Sequence, residues 1–383
     1  MTTSDTTDFE PDVTTAEAIP ACQRQLPDAV GGGNVVFGFD GFVDSVQRMV
    51  DTRRDPESYT PIRTLDSLAD RFRASADENS SIAIEWVNDG TRLGGHTSHL
   101  TRFYGGIGYD PTLVGTFGTP PRETFQTEFG EYEMVSIGEP GETHAVEFDD
   151  GKCMLIEPGS YLRFDWESFS ERISPTALAE RIDGTDLFGI GYWTVMPRLP
   201  AIIDGIREEV WPMLSDPPEE VLFDPGDIRQ LPDEQIQPGI EALERLASVT
   251  SLTVSANRVE TLALADMLTT DDPGRSFTSA VTTVYDHVDV TRFVGHNVDF
   301  SVSVSDAGTA RVDVPKVAEP EITTSAGDHF NAGLSLGLLQ GLDDPASLVL
   351  GNAVANHFVR TGSPPAFDEI VDVVHEYEEL LSV

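Results

Sequence analysis

The stretch Thr323-Thr324-Ser325-Ala326-Gly327-Asp328-His329-Phe330-Asn331-Ala332-Gly333 runs small residues straight into an apolar repeat of Leu334, Leu336, Leu338, Leu339 and Leu342. That order predicts a tight turn followed by a buried helix. Ala326 and Gly327 let the backbone bend closely and leave N–H groups free at the helix start, where the positive end of the dipole reinforces them. Ser325, Ala326 and Gly327 thus form a candidate anion hole that needs no lysine. Asp328 becomes a carboxylate beside that hole and the candidate catalytic residue. Taken alone, the same residue reads equally well as a helix cap.

Working outward, short apolar runs alternate with helical stretches: Val35-Val36-Phe37, Thr112-Leu113-Val114-Gly115, Leu187-Phe188-Gly189-Ile190, Val221-Leu222-Phe223-Asp224 and Leu252-Thr253-Val254-Ser255. Continuous runs of this kind suit strands buried on both faces. Helices are expected near 96–107, 175–183, 199–214, 236–247 and 258–268. The alternation predicts an α/β fold, a doubly wound sheet flanked by helices, spanning 34–383. A second texture, strands and a hairpin at 43–62, 82–93 and 131–165 with a turn at Asp149-Asp150-Gly151, predicts a small β-sheet lid. Residues 1–33, rich in Thr, Asp and Glu and closed by Gly31-Gly32-Gly33, read as a poorly ordered acidic extension.

Over 383 residues, 66 Asp and Glu stand against 24 Lys and Arg, a formal charge of −42. Only Lys152 and Lys316 are lysines. The apolar fraction is ordinary for a folded domain, so the charge does not imply a disordered chain. Self-repulsion at this density is relieved at molar salt, where the Debye length falls to about 3 Å. The acids are spread along the chain, which points to a halophilic protein and away from an acidic tail. Such a surface excludes nucleic acid and anionic membrane as partners, since both call for basic patches. Cys22 and Cys153 form no metal-spaced pair, and no apolar run is long enough to span a bilayer. A cytoplasmic protein is expected.

The 323–333 stretch resembles the C-terminal signature of the PfkB, or ribokinase-like, carbohydrate kinase family, Asp-Thr-x-Gly-Ala-Gly-Asp followed by a helix, with Ser325 for the first Gly and Ile322 in place of the Asp. Further segments fall in the family's order. Gly94-Gly95-His96-Thr97-Ser98-His99 resembles Gly-Gly-Asn-x-x-Asn, with His96 and His99 replacing both Asn residues. Asn257-Arg258-Val259-Glu260 resembles Asn-x-x-Glu, whose other reading is an exposed helix start. Phe223-Asp224-Pro225-Gly226-Asp227-Ile228-Arg229 resembles Asp-Pro-Asn-x-Arg. Gly38-Phe39-Asp40-Gly41-Phe42-Val43-Asp44 ends the first strand where relatives place a sugar-binding Asp; Asp44 is the first choice over Asp40. The resemblance covers roughly 35–365.

The resemblance implies a kinase that moves the γ-phosphate of ATP to a hydroxyl of a small sugar. Asp328 would accept the hydroxyl proton. Asp40, Asp44, Gly94, Gly95, His96 and His99 would meet the sugar. Asn257, Glu260, Asp224, Asn352 and Asn356 would serve the nucleotide and Mg²⁺, with Glu260 reaching the metal through water, and K⁺ is a candidate activator. A phosphorylated sugar would call for convergent Arg or Lys, so a neutral sugar is favoured: fructose, at O1 as in ketohexokinases or at O6 as in fructokinases. Ribokinase or nucleoside kinase activity stays open, and Tyr161-Leu162-Arg163 keeps 2-keto-3-deoxygluconate kinase open. A homodimer through the lid is expected. From other classes come a non-catalytic sugar or nucleotide sensor and a dinucleotide oxidoreductase; the latter lacks Gly-x-Gly-x-x-Gly after the first strand.

Overall fold

The expected strands form because Val, Leu, Ile and Phe fill both faces of one large sheet. In the computed structural model, which describes residues 10–270 and 274–382, these strands are β1 (Asn34–Phe39), β5 (Asp110–Gly115), β6 (Glu133–Ser136), β9 (Leu187–Gly191), β10 (Glu220–Asp224), β11 (Leu252–Asn257), β12 (Arg292–His296), β13 (Phe300–Ser305) and β14 (Gly308–Asp313). Their order is β14-β13-β12-β11-β10-β9-β1-β5-β6. Pairing is parallel from β12 to β6, and β13 and β14 close one edge as antiparallel strands. Alternation splits the core between the two faces. Val35, Phe37, Leu187 and Leu222 join one apolar cluster, while Val36, Phe188, Ile190, Val221 and Phe223 join the other.

Between β1 and β5, and again after β6, the chain leaves this sheet for a smaller one. Its strands are β2 (Phe42–Arg53), β3 (Tyr59–Pro61), β4 (Trp86–Gly94), β7 (Gly141–Phe148) and β8 (Gly151–Glu157), ordered β3-β2-β7-β8 with β4 also paired to β2. The lid is therefore smaller at one end than the sequence suggests, because β6 belongs to the large sheet. The helix Leu65–Asp77 covers part of it through Leu68, which packs with Met49, Ile62 and Val146.

The N-terminal extension is the main correction. Residues 1–9 lie outside the described residues, but those from 12 to 25 are docked. The helix Thr15–Gln25 buries Ala18, Ile19 and Cys22 in the main core. Val13 bridges to Ala310 at the sheet edge, and the Gln23 amide donates to the Val374 carbonyl at 3.1 Å. An apolar stripe at helical spacing, hidden among acids and threonines, outweighs the polar composition. Among the described residues no helix is long and apolar enough to cross a membrane.

In an open parallel sheet the ligand crevice lies at the C-terminal strand ends where connections diverge. Here β1 is followed by β5 on one side and later by β9 on the other. The ends of β1, β9 and β10 are therefore the place to look.

Candidate active site

Asp40 follows directly on β1 and Asp44 lies near the start of β2, and the two crowd the pair Gly94-Gly95. A Cβ on Gly95 would lie 2.5 Å from an Asp40 carboxylate oxygen, and one on Gly94 would lie 2.1 Å from an Asp44 oxygen. Gly95 also adopts φ +92°, open to glycine at little cost. Asp40 accepts the N–H groups of His96 at 2.9 Å and Thr97 at 3.0 Å, capping the helix His96–Gly106 from a distance. Burial raises its carboxyl to about 6. With both oxygens committed to that helix and no exposure, Asp40 supports the site's frame and leaves Asp44 as the acid on the cleft.

Behind them, Asp328 sits in the first turn of the helix Ala326–Leu339, where the amides have no intrahelical acceptor. It is 6% exposed, accepts the Tyr192 hydroxyl, and lies 3.7 Å from Nδ1 of His96. Burial pushes the Asp328 carboxyl upward, but the His96 imidazole and the Tyr192 hydroxyl beside it outweigh that and keep it ionised. Donor atoms of His96, Asp224 and Asp328 all lie within 4.8 Å of one another. Asp224, at the end of β10, accepts the Gly226 N–H at 2.9 Å and the Asn331 amide at 2.8 Å. Burial and the charges of Glu260 and Asp328 drive its carboxyl well above the ordinary range. Both ring nitrogens of the fully buried His96 lack a hydrogen-bond partner.

Asn257 and Glu260 form the capping box of the helix Arg258–Leu268. The Asn257 side chain accepts the Val259 and Glu260 N–H groups at 2.9 and 3.1 Å, and Glu260 accepts the Asn257 N–H at 2.8 Å. The helix-start reading of this tetrapeptide is therefore realised. Yet Glu260 is buried, and burial with the nearby charges of Asp227 and Asp328 pushes its carboxyl up to about 7. A concentration of buried acids around Asp224, Glu260 and Asp328 fits a divalent cation, which would relieve the unpaired charge.

Other candidates are not brought together with this cluster. Asn352, expected at the nucleotide, donates to Ser301 Oγ at 3.0 Å, fastening the helix Asp344–Thr361 to β13. Asn356 donates to the Pro315 carbonyl at 2.9 Å, with its side-chain oxygen unpartnered. Tyr161 is buried against Phe42 at a ring separation of 5.2 Å, while Arg163 is exposed, so the Tyr-x-Arg pair makes no sugar-acid clamp. Tyr192 was not foreseen. Its only signal is its place immediately after β9.

A cleft of about 460 Å³ opens between the lid and the helix start, lined among others by Asp44, Arg92, His99, Arg102, Thr324 and Ser325. Asp328, His96 and Asp224 lie buried, outside its lining. Two arginines reach a cleft expected to hold none. Arg102 is engaged with Glu128 at 2.6 Å, with the Leu93 carbonyl at 3.2 Å and with His99. Arg92 is the cross-strand partner of Asp44 in the β2–β4 register.

The profile of the prokaryotic ketohexokinase family matches residues 11–377. The chain belongs to the prokaryotic ketohexokinase family. It is 46% identical over 362 residues to a ketohexokinase of Haloferax volcanii, covering 94% of this chain and 96% of that one. In fold it matches Arabidopsis thaliana ribokinase complexed with ribose and ATP, with a TM-score of 0.59, 14% identity, and coverage of 90% of this chain and 99% of that chain. It also matches phosphofructokinase-2 from Escherichia coli in complex with potassium, with a TM-score of 0.59, 13% identity, and coverage of 91% and 99%. The ribokinase-like fold read from motif order is thus the fold of the molecule. As a member of a sugar kinase family, the chain is a phosphotransferase with an alcohol acceptor, which displaces the sensor and oxidoreductase readings.

Proposed function

We propose that this protein transfers the γ-phosphoryl group of ATP to the 1-hydroxyl of fructose. The observation that carries the kinase reading is an ionised Asp328 in the first turn of the helix Ala326–Leu339, beside N–H groups that have no intrahelical acceptor. Asp328 accepts the hydroxyl proton as the sugar oxygen attacks, and the N–H groups of Gly327 and Asp328 meet the charge on the phosphoryl oxygens. Asp44 and the unpartnered nitrogens of His96 hydrogen-bond the sugar hydroxyls, since a buried imidazole without partners is costly until a ligand supplies them. Glu260, through water, and Asp224 are the residues that would hold Mg²⁺, which when bound neutralises phosphate charge.

Asn356 lines a second cleft, of about 300 Å³, with Lys316 and Arg360, and is assigned to the nucleoside end. Potassium is a candidate activator beside the loop 321–325, whose Glu321 N–H donates to the Val359 carbonyl at 2.9 Å. A homodimer through the lid is supported by the exposure of Trp86, Leu155 and Ile156 on its strands. The charge of −42 supports work in a salt-rich cytoplasm.

The test is a panel of fructose, ribose, nucleosides and sugar acids with ATP and Mg²⁺ in molar KCl, scoring ADP release and locating the new phosphoester by NMR. Fructose 1-phosphate is expected. Phosphorylation at O6, or turnover of nucleosides ahead of fructose, would reject the substrate assignment.

A further inference from the structure

Two residues that depart from the ribokinase-like motifs, Ser325 and His99, touch each other: Ser325 Oγ lies 2.8 Å from His99 Nε2. The direction of that bond follows from its neighbour. Arg102 Nη1 lies 3.2 Å from His99 Nδ1, and a guanidinium only donates, so Nδ1 accepts. Burial pushes the His99 imidazole down to about 3, so the ring is neutral. A neutral imidazole that accepts at Nδ1 carries its proton on Nε2. His99 therefore donates to Ser325, and the serine's own hydroxyl proton is left to donate elsewhere.

The serine is also fixed in place. It adopts φ +67°, a left-handed conformation that a residue with a Cβ keeps only when its surroundings hold it there. Its carbonyl accepts both the backbone N–H of His329 at 3.2 Å and the His329 ring at 2.9 Å. That ring stacks on Phe358 with centroids 3.5 Å apart. Arg102 is anchored in turn by Glu128 and the Leu93 carbonyl. The result is a hydroxyl on the cleft wall, immediately before the amides of the anion hole, with its lone pair occupied and its proton available.

We propose that the Ser325 hydroxyl is a further donor to the transferred phosphoryl group, aimed by His99 and Arg102 as positioning residues. The inference rests on the kinase reading above. The histidine takes up the side chain that stands where the ribokinase-like motif has a glycine.

Steady-state kinetics of Ser325→Gly, His99→Leu, His99→Gln and the double variant Ser325→Gly/His99→Leu test it, with thermal melting to confirm that each is folded. Glycine accepts the left-handed backbone and removes only the donor, so kcat should fall about tenfold to a hundredfold with the sugar KM unchanged within about twofold. His99→Leu should fall comparably. His99→Gln, whose amide can accept from Arg102 and donate to Ser325, should recover most of the loss. The double variant should be no worse than Ser325→Gly, because both remove one shared interaction. Imidazole ¹⁵N NMR of the ligand-free chain should show His99 as the Nε2–H tautomer, without titration between about pH 5 and 9. An unchanged kcat in Ser325→Gly, additive losses, or the Nδ1–H tautomer would overturn the inference while the kinase reading stands. Absence of turnover in the unaltered chain on every sugar would overturn both.

Discussion

Carboxylates on the surface and carboxylates under the lid are the same groups placed under opposite physics. Asp89 pairs with Arg48 at 2.7 Å with both side chains about half exposed, 50% and 47%. In water such a pair contributes little, and what matters on the surface is the sum, −42. Under the lid the sum matters less than position. Asp40 is raised to about 6, Glu260 to about 7, and Asp224 well above its usual range, while Asp328, a few ångströms from Asp224, is held ionised. Hydrogen-bond donors make the difference. Among the four only Asp328 accepts a tyrosine hydroxyl, so the acid proposed to take a proton is the one kept free of it.

The strongest way to break that comparison is to neutralise the buried acid that is kept charged. Asp328→Asn should lower kcat about a thousandfold or more, within the range assigned to a lost general base, and leave ATP affinity within about twofold by calorimetry. Retained turnover would mean that Asp328 is a cap and nothing else. The surface population answers to salt instead. Reducing KCl from about 2 M to 0.1 M lengthens the Debye length from roughly 2–3 to 10 Å, and the melting temperature should fall by on the order of 10 °C. A melting point indifferent to salt would remove the physical basis for reading the charge as a salt adaptation.

How much of this was legible depended on whether the determining contacts were local. Strands such as β9 and β10 are buried at every position, so an unbroken apolar run identifies them. The helix Leu65–Asp77 left no such trace, because it buries only Leu68. β13 reads Phe300-Ser301-Val302-Ser303-Val304-Ser305, yet all but its last residue are buried; its serines look like a solvent face. In the site, Asp328, Asn257 and Glu260 could be found because the turn or cap that places them is built from adjacent residues. Tyr192 reaches Asp328 across 136 positions and Ser325 reaches His99 across 226, separations at which only the folded sheet brings partners together. Asn352 was expected at the nucleotide; its bond to Ser301 on β13, 51 positions away, is another contact that only the folded sheet creates.

Glu260 offers a milder perturbation with a definite sign. Its folded carboxyl titrates near 7 against an ordinary value of 4.5, so the folded chain binds the proton more tightly than the unfolded one. The stability that Glu260 contributes is therefore fully present below about 4.5, declines as pH rises towards 7, and is gone above it. Glu260→Gln keeps the capping box, which accepts Gln at that position, and removes the buried charge. Melting should match the parent at pH 4.5 and show a gain of about 1–3 kcal/mol at pH 8. A loss at pH 8 would mean that the ionised carboxylate is better compensated than its surroundings indicate.

Asp89→Asn is the matching change on the surface and should have the smallest effect of all. Two terms oppose each other there. Breaking the pair with Arg48 removes an attraction of under about 1 kcal/mol, and deleting one negative charge relieves repulsion from every acid within a Debye length. In molar KCl both are screened, so the change in stability should stay within about 0.5 kcal/mol. At about 0.1 M salt both terms grow and still cancel in part. The gain from Glu260→Gln should persist from low to high salt, because ions do not penetrate to screen a buried group. Thermal melts of both variants across a KCl series therefore separate the two populations: a salt-independent shift for the buried acid and a near-zero one for Asp89. If Asp89→Asn instead moved the melting point by several degrees in molar KCl, the surface acids would be engaged in specific contacts, and summing them into one screened charge would be wrong.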